Sequence, residues 1–294
     1  MVAIATYVFI DLETTGLPEE ENNRTRITEL SLVAVKREHV LLTRPGATPR
    51  VQHKLTLCFN PGKTIAPSCT DVTGLCNFLL EHEPKFDIKT FTMINTFLDV
   101  LEKPVCLIAH NGHRFDFPLL KNHLTKLGLS LASDLLCADC LHGFYDIMES
   151  NNKVVSEILN INENASDWND TFDEKVSDME LYESETSYMQ RINERTPKKQ
   201  QIALNKNNIK PISQVRRQLF WKKGASPKKK YKLSRLYERI FNEPAVGAHR
   251  AENDCILALK CFIAHGSDMV KWCDENKCLF SEVKPMTVGV KLGS

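Results

Sequence analysis

Apolar and polar positions change period several times along the chain, and each change marks an element. Val2–Asp11 (VAIATYVFID) is a near-continuous apolar and β-branched run of strand length, the pattern of a strand buried on both faces of a sheet. Ile27–Lys36 (ITELSLVAVK) and Val51–Asn60 (VQHKLTLCFN) repeat the signal, with the turn pair Pro45-Gly46 between them, so three strands open the fold as a meander. The third alternates, with Val51, His53, Leu55, Leu57 and Phe59 on one face, as a half-buried strand would. Pro61-Gly62 ends it, and from Cys69 to Leu101 the period becomes helical, with Phe91, Ile94, Phe97, Leu98 and Leu101 spaced by three and four. Val105–Ala109 predicts a short buried strand. Pro118–Leu127, with Pro in the first turn and Gly128 just past the end, predicts a helix. Leu135–Ala138 predicts one more short strand. Leu233–Phe241 predicts a helix, and Asp254–His265 (DCILALKCFIAH) an amphipathic one closed by Gly266. Strands first, then alternating strand and helix, argue for an α/β fold with helices packed on a mixed sheet.

The pattern fails between about Ser150 and Lys230. Glu157–Glu194 holds eleven acidic residues and two basic ones, whereas Arg195–Arg239 holds fifteen basic residues and one acid. Such charge blocks mark a long, flexible insertion in a domain that resumes after it. The expected division is 1–149 for the first part of the domain, 150–230 for the charged insertion, 231–285 for the C-terminal part and 286–294 for a tail. The basic half, with Lys222, Lys223 and Lys228–Lys230, could hold nucleic-acid phosphates, with the acidic half masking it.

Composition narrows this further. At 294 residues with 42% hydrophobic and 26% charged residues the chain is long enough for a full core. A net charge of +1 removes any global attraction to polyanions, leaving only local patches. Nothing approaches the roughly 18-residue apolar run of a membrane span, and Met1–Ile10 lacks the basic flank and cleavage site of a leader. The chain is therefore expected to be neither secreted nor membrane-bound. Ten cysteines are irregularly spaced, and Cys137-x-x-Cys140 has no second pair to complete a four-ligand zinc site. Cys58, Cys106, Cys255 and Cys261 lie in apolar segments as small hydrophobes, so a reducing compartment, cytoplasm or nucleus, is expected.

Candidate chemistry lies in the acids at element ends. Asp11 and Glu13, two apart where the first strand ends, project to one face. Their repulsion calls for a partner, and hard divalent cations are the usual one. Taken alone, the pair better suits solvated charges before the Thr14-Thr15-Gly16 turn. Asp116 follows a strand and loop and precedes a helix; Asp254 begins the last strong helix, with His249 five residues before it. Each acid alone suits a helix cap or dipole partner. Together they fall where an α/β sheet gathers its ligand site.

The order D-x-E, D, H-x-x-x-x-D resembles the DEDDh group of DnaQ-like 3′–5′ exonucleases, and FIDLETTGL, HNGHRFDFPLL and AHRAENDCILAL stand at its three motifs in order. HKLTLCFNPGK with DVTGL, then IAHNGHRFDFPLL, then KLSRLYERIF before AHRAEND, is similar to the three-prime repair exonuclease branch over roughly Val8–Cys140 and Tyr231–Phe280. The resemblance implies a ribonuclease H-like mixed sheet flanked by helices. It also implies two Mg²⁺ ions, with Mn²⁺ as a substitute, held by Asp11, Glu13, Asp116 and Asp254, and His249 as general base. A free imidazole, with a pKa of ~6.5, can accept the attacking water's proton near neutral pH.

Substrate contacts are expected from Glu13, Thr14, Thr15, Leu17, His110, Asn111, Phe115 and Asp254. Gly16 and Gly112 would permit close backbone approach, and Leu17 and Phe115 would offer apolar surface. The implied substrate is the 3′ end of DNA, single-stranded or frayed, in repair or degradation, and the third strand implies a homodimer through its edge. His113, where the mammalian relatives are usually acidic, and Phe115, where they carry Tyr, depart from the pattern, as does the missing proline-rich partner motif. A DnaQ-like RNA exonuclease and a non-catalytic nucleic-acid-binding module are the alternatives; the first shares the metal chemistry, and the second fits poorly with every proposed ligand being present.

Overall fold

The computed structural model describes residues 2–150, 209–212 and 231–290. Residues 1–150 and 205–294 form one compact unit, and 151–204 a second. Most of the charged insertion, with Lys222, Lys223, Lys228–Lys230 and the whole acidic half, lies outside the described residues.

A six-stranded sheet in the order β3-β2-β1-β4-β5-β6 carries the first unit. Its strands are β1 (Thr6–Thr14), β2 (Ile27–Lys36), β3 (His53–Cys58), β4 (Val105–Ala109), β5 (Leu136–Asp139) and β6 (Cys278–Leu279). The first three pair antiparallel, β4 and β5 run parallel to β1, and β6 returns antiparallel to β5. This is a mixed, ribonuclease H-like sheet with helices on both faces. β1 lies between β2 and β4 and is buried along its length except at Asp11 and Glu13, which are half-buried. Val8, Ile10 and Leu12 enter a core with Ile94, Leu98, Leu107, Phe117 and Leu120. Tyr7 and Phe9 point the other way onto Phe262, with ring centroids 5.2 and 5.5 Å apart.

Among the described residues the helices are α1 (Arg37–Leu42), α2 (Pro67–Thr73), α3 (Asn77–Leu80), α4 (Ile88–Asp99), α5 (Asp116–Lys126), residues 140–150 (α6), α7 (Leu233–Phe241), α8 (Ala251–Ala264) and α9 (Gly266–Asn276). Local chemistry explains their ends. Asp87 starts α4 with a capping box, accepting from the Lys89 and Thr90 N–H groups while Thr90 answers its own. Gly128, at φ +70°, closes α5 in the left-handed conformation that a side chain would disfavour.

β2, β4 and α7 form over the predicted residues. The first strand starts later and ends later than expected, so Asp11 and Glu13 lie within it. β3 is shorter than Val51–Asn60, and β5 is shifted by one residue. The helical stretch from Cys69 to Leu101 divides into α2, α3 and α4. Helix α1, of six residues, is too short to show a period, and it interrupts the meander. The helix predicted to close at Gly266 does end there, at Ala264 with His265 as its cap, and Gly266, at φ +31°, then opens a further helix, α9, that the pattern did not predict.

Phe262, fully buried between the sheet and its helices, is expected to cost about 3–5 kcal/mol on replacement by alanine. Denaturant unfolding of Phe262→Ala checks this; a loss under about 1 kcal/mol would mean the α8 face contributes little to the core.

Candidate active site

Asp11 and Glu13 occupy alternate positions of β1 on the Phe9 side of the sheet, the side that α8 covers. A shift of register between Glu13 and Thr14 marks where β1 leaves its ladder with β2. Asp116 is the first residue of α5, two residues earlier than the helix start expected at Pro118, and is almost wholly buried. Asp254 is the fourth residue of α8, not its first. One of its oxygens accepts the His249 backbone N–H at 3.0 Å, which closes the turn entering α8. His249 itself holds φ +68°, a conformation uncommon for a side-chain-bearing residue and often found at functional sites. Gly247, at φ +73°, has no room for a Cβ, which would lie 2.5 Å from Asn253 Nδ2.

These segments bring the acids together. Ligand atoms of Glu13, His249 and Asp254 lie within 4.8 Å of one another. Burial, then Asp116, Asp254, Glu13 and Glu29 in turn, hold the Asp11 carboxyl well above its ordinary range. Burial, with Asp254 and Glu29 adding repulsion, pushes Glu13 up to about 8. Burial also raises Asp116 strongly, against the backbone N–H groups that favour its charge. Asp254 is raised less, because the His249 N–H opposes its burial. Such a cluster is electrostatically unfavourable without a cation. Asp116 Oδ1 is buried with no hydrogen-bond partner. An all-carboxylate donor set with an orphaned buried oxygen fits hard divalent cations.

The other expected contacts divide. Leu17 is exposed beside β1 and free to meet a ligand. Thr14 and Thr15 are buried with their hydroxyls committed, Thr14 donating to the Gly16 carbonyl and Thr15 to Glu21. His110 pairs with the Tyr231 carbonyl at 2.8 Å, and burial lowers its pKa. Asn111, at φ +69°, stands half-exposed, and Phe115 packs partly against the core.

Two residues escape a motif search. Glu29 lies directly opposite Glu13 across β1 and β2, an unfavourable pairing of like charges. Its carboxylate accepts the N–H of Ala251, the first residue of α8, at 2.9 Å, so the helix N-terminus offsets its charge. Asp139 accepts from the backbone N–H groups of Asn111, His113 and Leu141 at 2.9–3.1 Å, which pins the loop leading to Asp116. The available signal for both was an acid inside, or at the end of, an otherwise apolar strand.

The raised acids set a pH dependence. Glu13 moves from an ordinary 4.5 to about 8, so between those values the folded chain keeps a proton that the unfolded chain has released. Stability of the metal-free protein should therefore fall as pH rises through that window. Thermal unfolding in EDTA from pH 5 to 8.5 is expected to show a falling midpoint. Asp11→Asn, which removes one repelling carboxylate, should flatten the fall; parallel curves would show that the acids do not interact.

Comparison with known proteins points the same way. Residues 8–153 match the exonuclease family described as RNase T, Exonuclease. The three-prime repair exonuclease 1 of Bos taurus is 28% identical over 97% of this chain and 71% of its own length. The three prime repair exonuclease 2 of Mus musculus is 28% identical over 96% of this chain and 93% of its own. Among solved structures, a full-length 3′-exonuclease superposes with a TM-score of 0.53 at 9% identity, covering 99% of this chain and 94% of that one, a likeness of fold. By its sequence match and by the acids its fold gathers in one place, the chain carries an exonuclease-family segment over residues 8–153 and is similar over nearly its whole length to the three-prime repair exonucleases.

Proposed function

We propose that this exonuclease is a divalent-metal-dependent 3′–5′ exodeoxyribonuclease that removes nucleotides one at a time from DNA 3′ ends, single-stranded or frayed, in repair or degradation. The observation that carries this reading is the convergence of Asp11, Glu13, Asp116 and Asp254, with His249 beside Asp254. The names of the relatives support repair and the 3′ end; DNA over RNA rests on likeness to them.

Asp11, Glu13 and Asp254 as direct ligands, with Asp116 completing the set, would hold two Mg²⁺ ions, or Mn²⁺ in their place, which when bound offset charge on the scissile phosphate and favour deprotonation of water. The chain's own residues do the rest. His249 accepts the proton of the attacking water on an imidazole nitrogen as the water's oxygen bonds to phosphorus. The bond from phosphorus to the upstream 3′ oxygen breaks, and that oxygen takes a proton from solvent to become the new 3′ hydroxyl as a nucleoside 5′-monophosphate is released. His249 is exposed at the cleft, so it can pass that proton to solvent. Leu17 and Phe115 would offer apolar surface to the terminal nucleotide, with Glu13 and Asn111 as further contacts.

The outer edge of β3 is free of strand partners among the described residues, and an unpaired edge favours pairing with another chain. A homodimer formed through two such edges belongs to this reading, as does a reducing compartment, cytoplasm or nucleus. Among the described residues no helix is long and apolar enough to cross a membrane.

On a 3′-labelled single-stranded oligonucleotide, EDTA should abolish degradation and Mg²⁺ restore it, and Asp254→Ala should reduce it to background while the variant still unfolds cooperatively. Release of label by Asp254→Ala at the wild-type rate would overturn the assignment. His249→Ala should lower kcat by ~10²–10⁴-fold, the usual contribution of a general base. An unchanged rate would reject it as base, and a matching loss of Mg²⁺ affinity would make it a ligand.

A further inference from the structure

Two features left over from the sequence meet inside the fold. Cys137, one half of the incomplete CxxC, separates from Cys140 because the two stand on successive elements, Cys137 in β5 and Cys140 at the start of α6. Cys140 lies near His110 instead, at 4.0 Å from Nδ1. Cys137 is paired in register with Cys278 of β6, 141 positions away, and their Sγ atoms are 3.5 Å apart. His113, one of the two residues that depart from the family pattern, reaches the same point from the loop before α5. Ligand atoms of His113, Cys137 and Cys278 all lie within 4.8 Å of one another, and the three residues are 2%, 0% and 0% exposed.

The donor set decides which cation suits this place. Thiolate and imidazole favour zinc over the hard cations that suit the carboxylate cleft. Zinc binds thiolate at ~2.3 Å and imidazole at ~2.0 Å in tetrahedral geometry, which puts two thiolates about 3.8 Å apart, a few tenths of an ångström from the observed separation. Charge also balances, because one Zn²⁺ with two thiolates and a neutral imidazole is electrically neutral. A neutral complex avoids the heavy penalty of an unpaired charge in a dry core.

We propose that His113, Cys137 and Cys278 form a zinc site, separate from the carboxylate cleft, with water in the fourth position. Binding replaces two S–H bonds with two Zn–S bonds and releases two protons, with no change of oxidation state. Burial raises the Cys137 thiol well above its ordinary range, so without metal it is protonated. The ion would join three segments distant in sequence. β6, only two residues long, is fastened to β5, and both are tied to the loop that delivers Asp116 three positions after His113. The site thereby goes beyond the exonuclease reading, and its test reads metal content and spectrum rather than nuclease activity.

The full chain, produced in zinc-supplemented medium and purified without chelator, is expected to carry about one zinc per chain by elemental analysis. Asp254→Ala should keep it, whereas His113→Phe and Cys278→Ala should each lose it. Cobalt loaded in place of zinc should give the intense near-ultraviolet absorption of thiolate-to-metal charge transfer, and Cys278→Ala should remove that band. Zinc that disappears with Asp254→Ala, copper in place of zinc, or a wild-type chain with neither zinc nor the cobalt band would each overturn the proposal. The wild-type measurements stand even where a core variant fails to fold.

Discussion

Carboxylates that share a low-dielectric cleft repel one another, and here five of them, Asp11, Glu13, Glu29, Asp116 and Asp254, come from β1, β2, α5 and α8. Each is raised by burial or adds to its neighbours' repulsion, so the arrangement opposes folding until cations offset it. The fold must therefore hold these groups by forces that do not depend on the site. β1 supplies the main one, lying at the centre of the sheet between an antiparallel and a parallel neighbour and buried on both faces. A strand so placed cannot slip by one residue without turning its core residues to the wrong side. Asp11 and Glu13 are thus fixed to one face by the packing of Phe9, Ile10 and Leu12.

The remaining acids are held by backbone chemistry. Glu29 bears the like charge of Glu13 across the ladder and offsets it by accepting from the N-terminus of α8, the helix that carries Asp254. Asp254 in turn holds the His249 backbone, whose positive φ directs the turn into that helix. Asp139 does comparable work for the loop before Asp116 through the N–H groups of Asn111 and His113. Two acids with no proposed part in metal binding thus place the segments bearing Asp116, Asp254 and His249. The cost of this architecture is that the metal-free site contributes less to stability as pH rises from the ordinary Glu13 value toward about 8.

Thr14, Thr15 and His110 show how motif residues hold the loops that carry them in shape. The hydroxyls of the two threonines close the Thr14–Gly16 loop internally, and His110 reaches the Tyr231 carbonyl, tying the start of the C-terminal part to the end of β4. Leu17 is the exposed member of the same loop, so the sequence stretch serves two ends, shape from its threonines and surface from its leucine.

By itself the sequence determined what is local. Apolar runs set β2 and β4, Gly128 set the end of α5, and the D-x-E, D and H-x-x-x-x-D spacings picked out the acids, since each depends on residues within one or two turns of chain. It did not reveal α1, a helix of only six residues, nor α9, which begins at Gly266 directly after α8 has ended. Only the tertiary structure decided which distant residues meet. Glu29 reads as an ordinary strand acid until β2 sets it opposite Glu13 and beneath α8. Asp139 reads as the end of a strand until the loop from β4 folds onto it. Cys137 reads as half of a CxxC until β6 brings Cys278 beside it. Pairing across a sheet joins residues at any separation in sequence, and no local period records which partners it will choose.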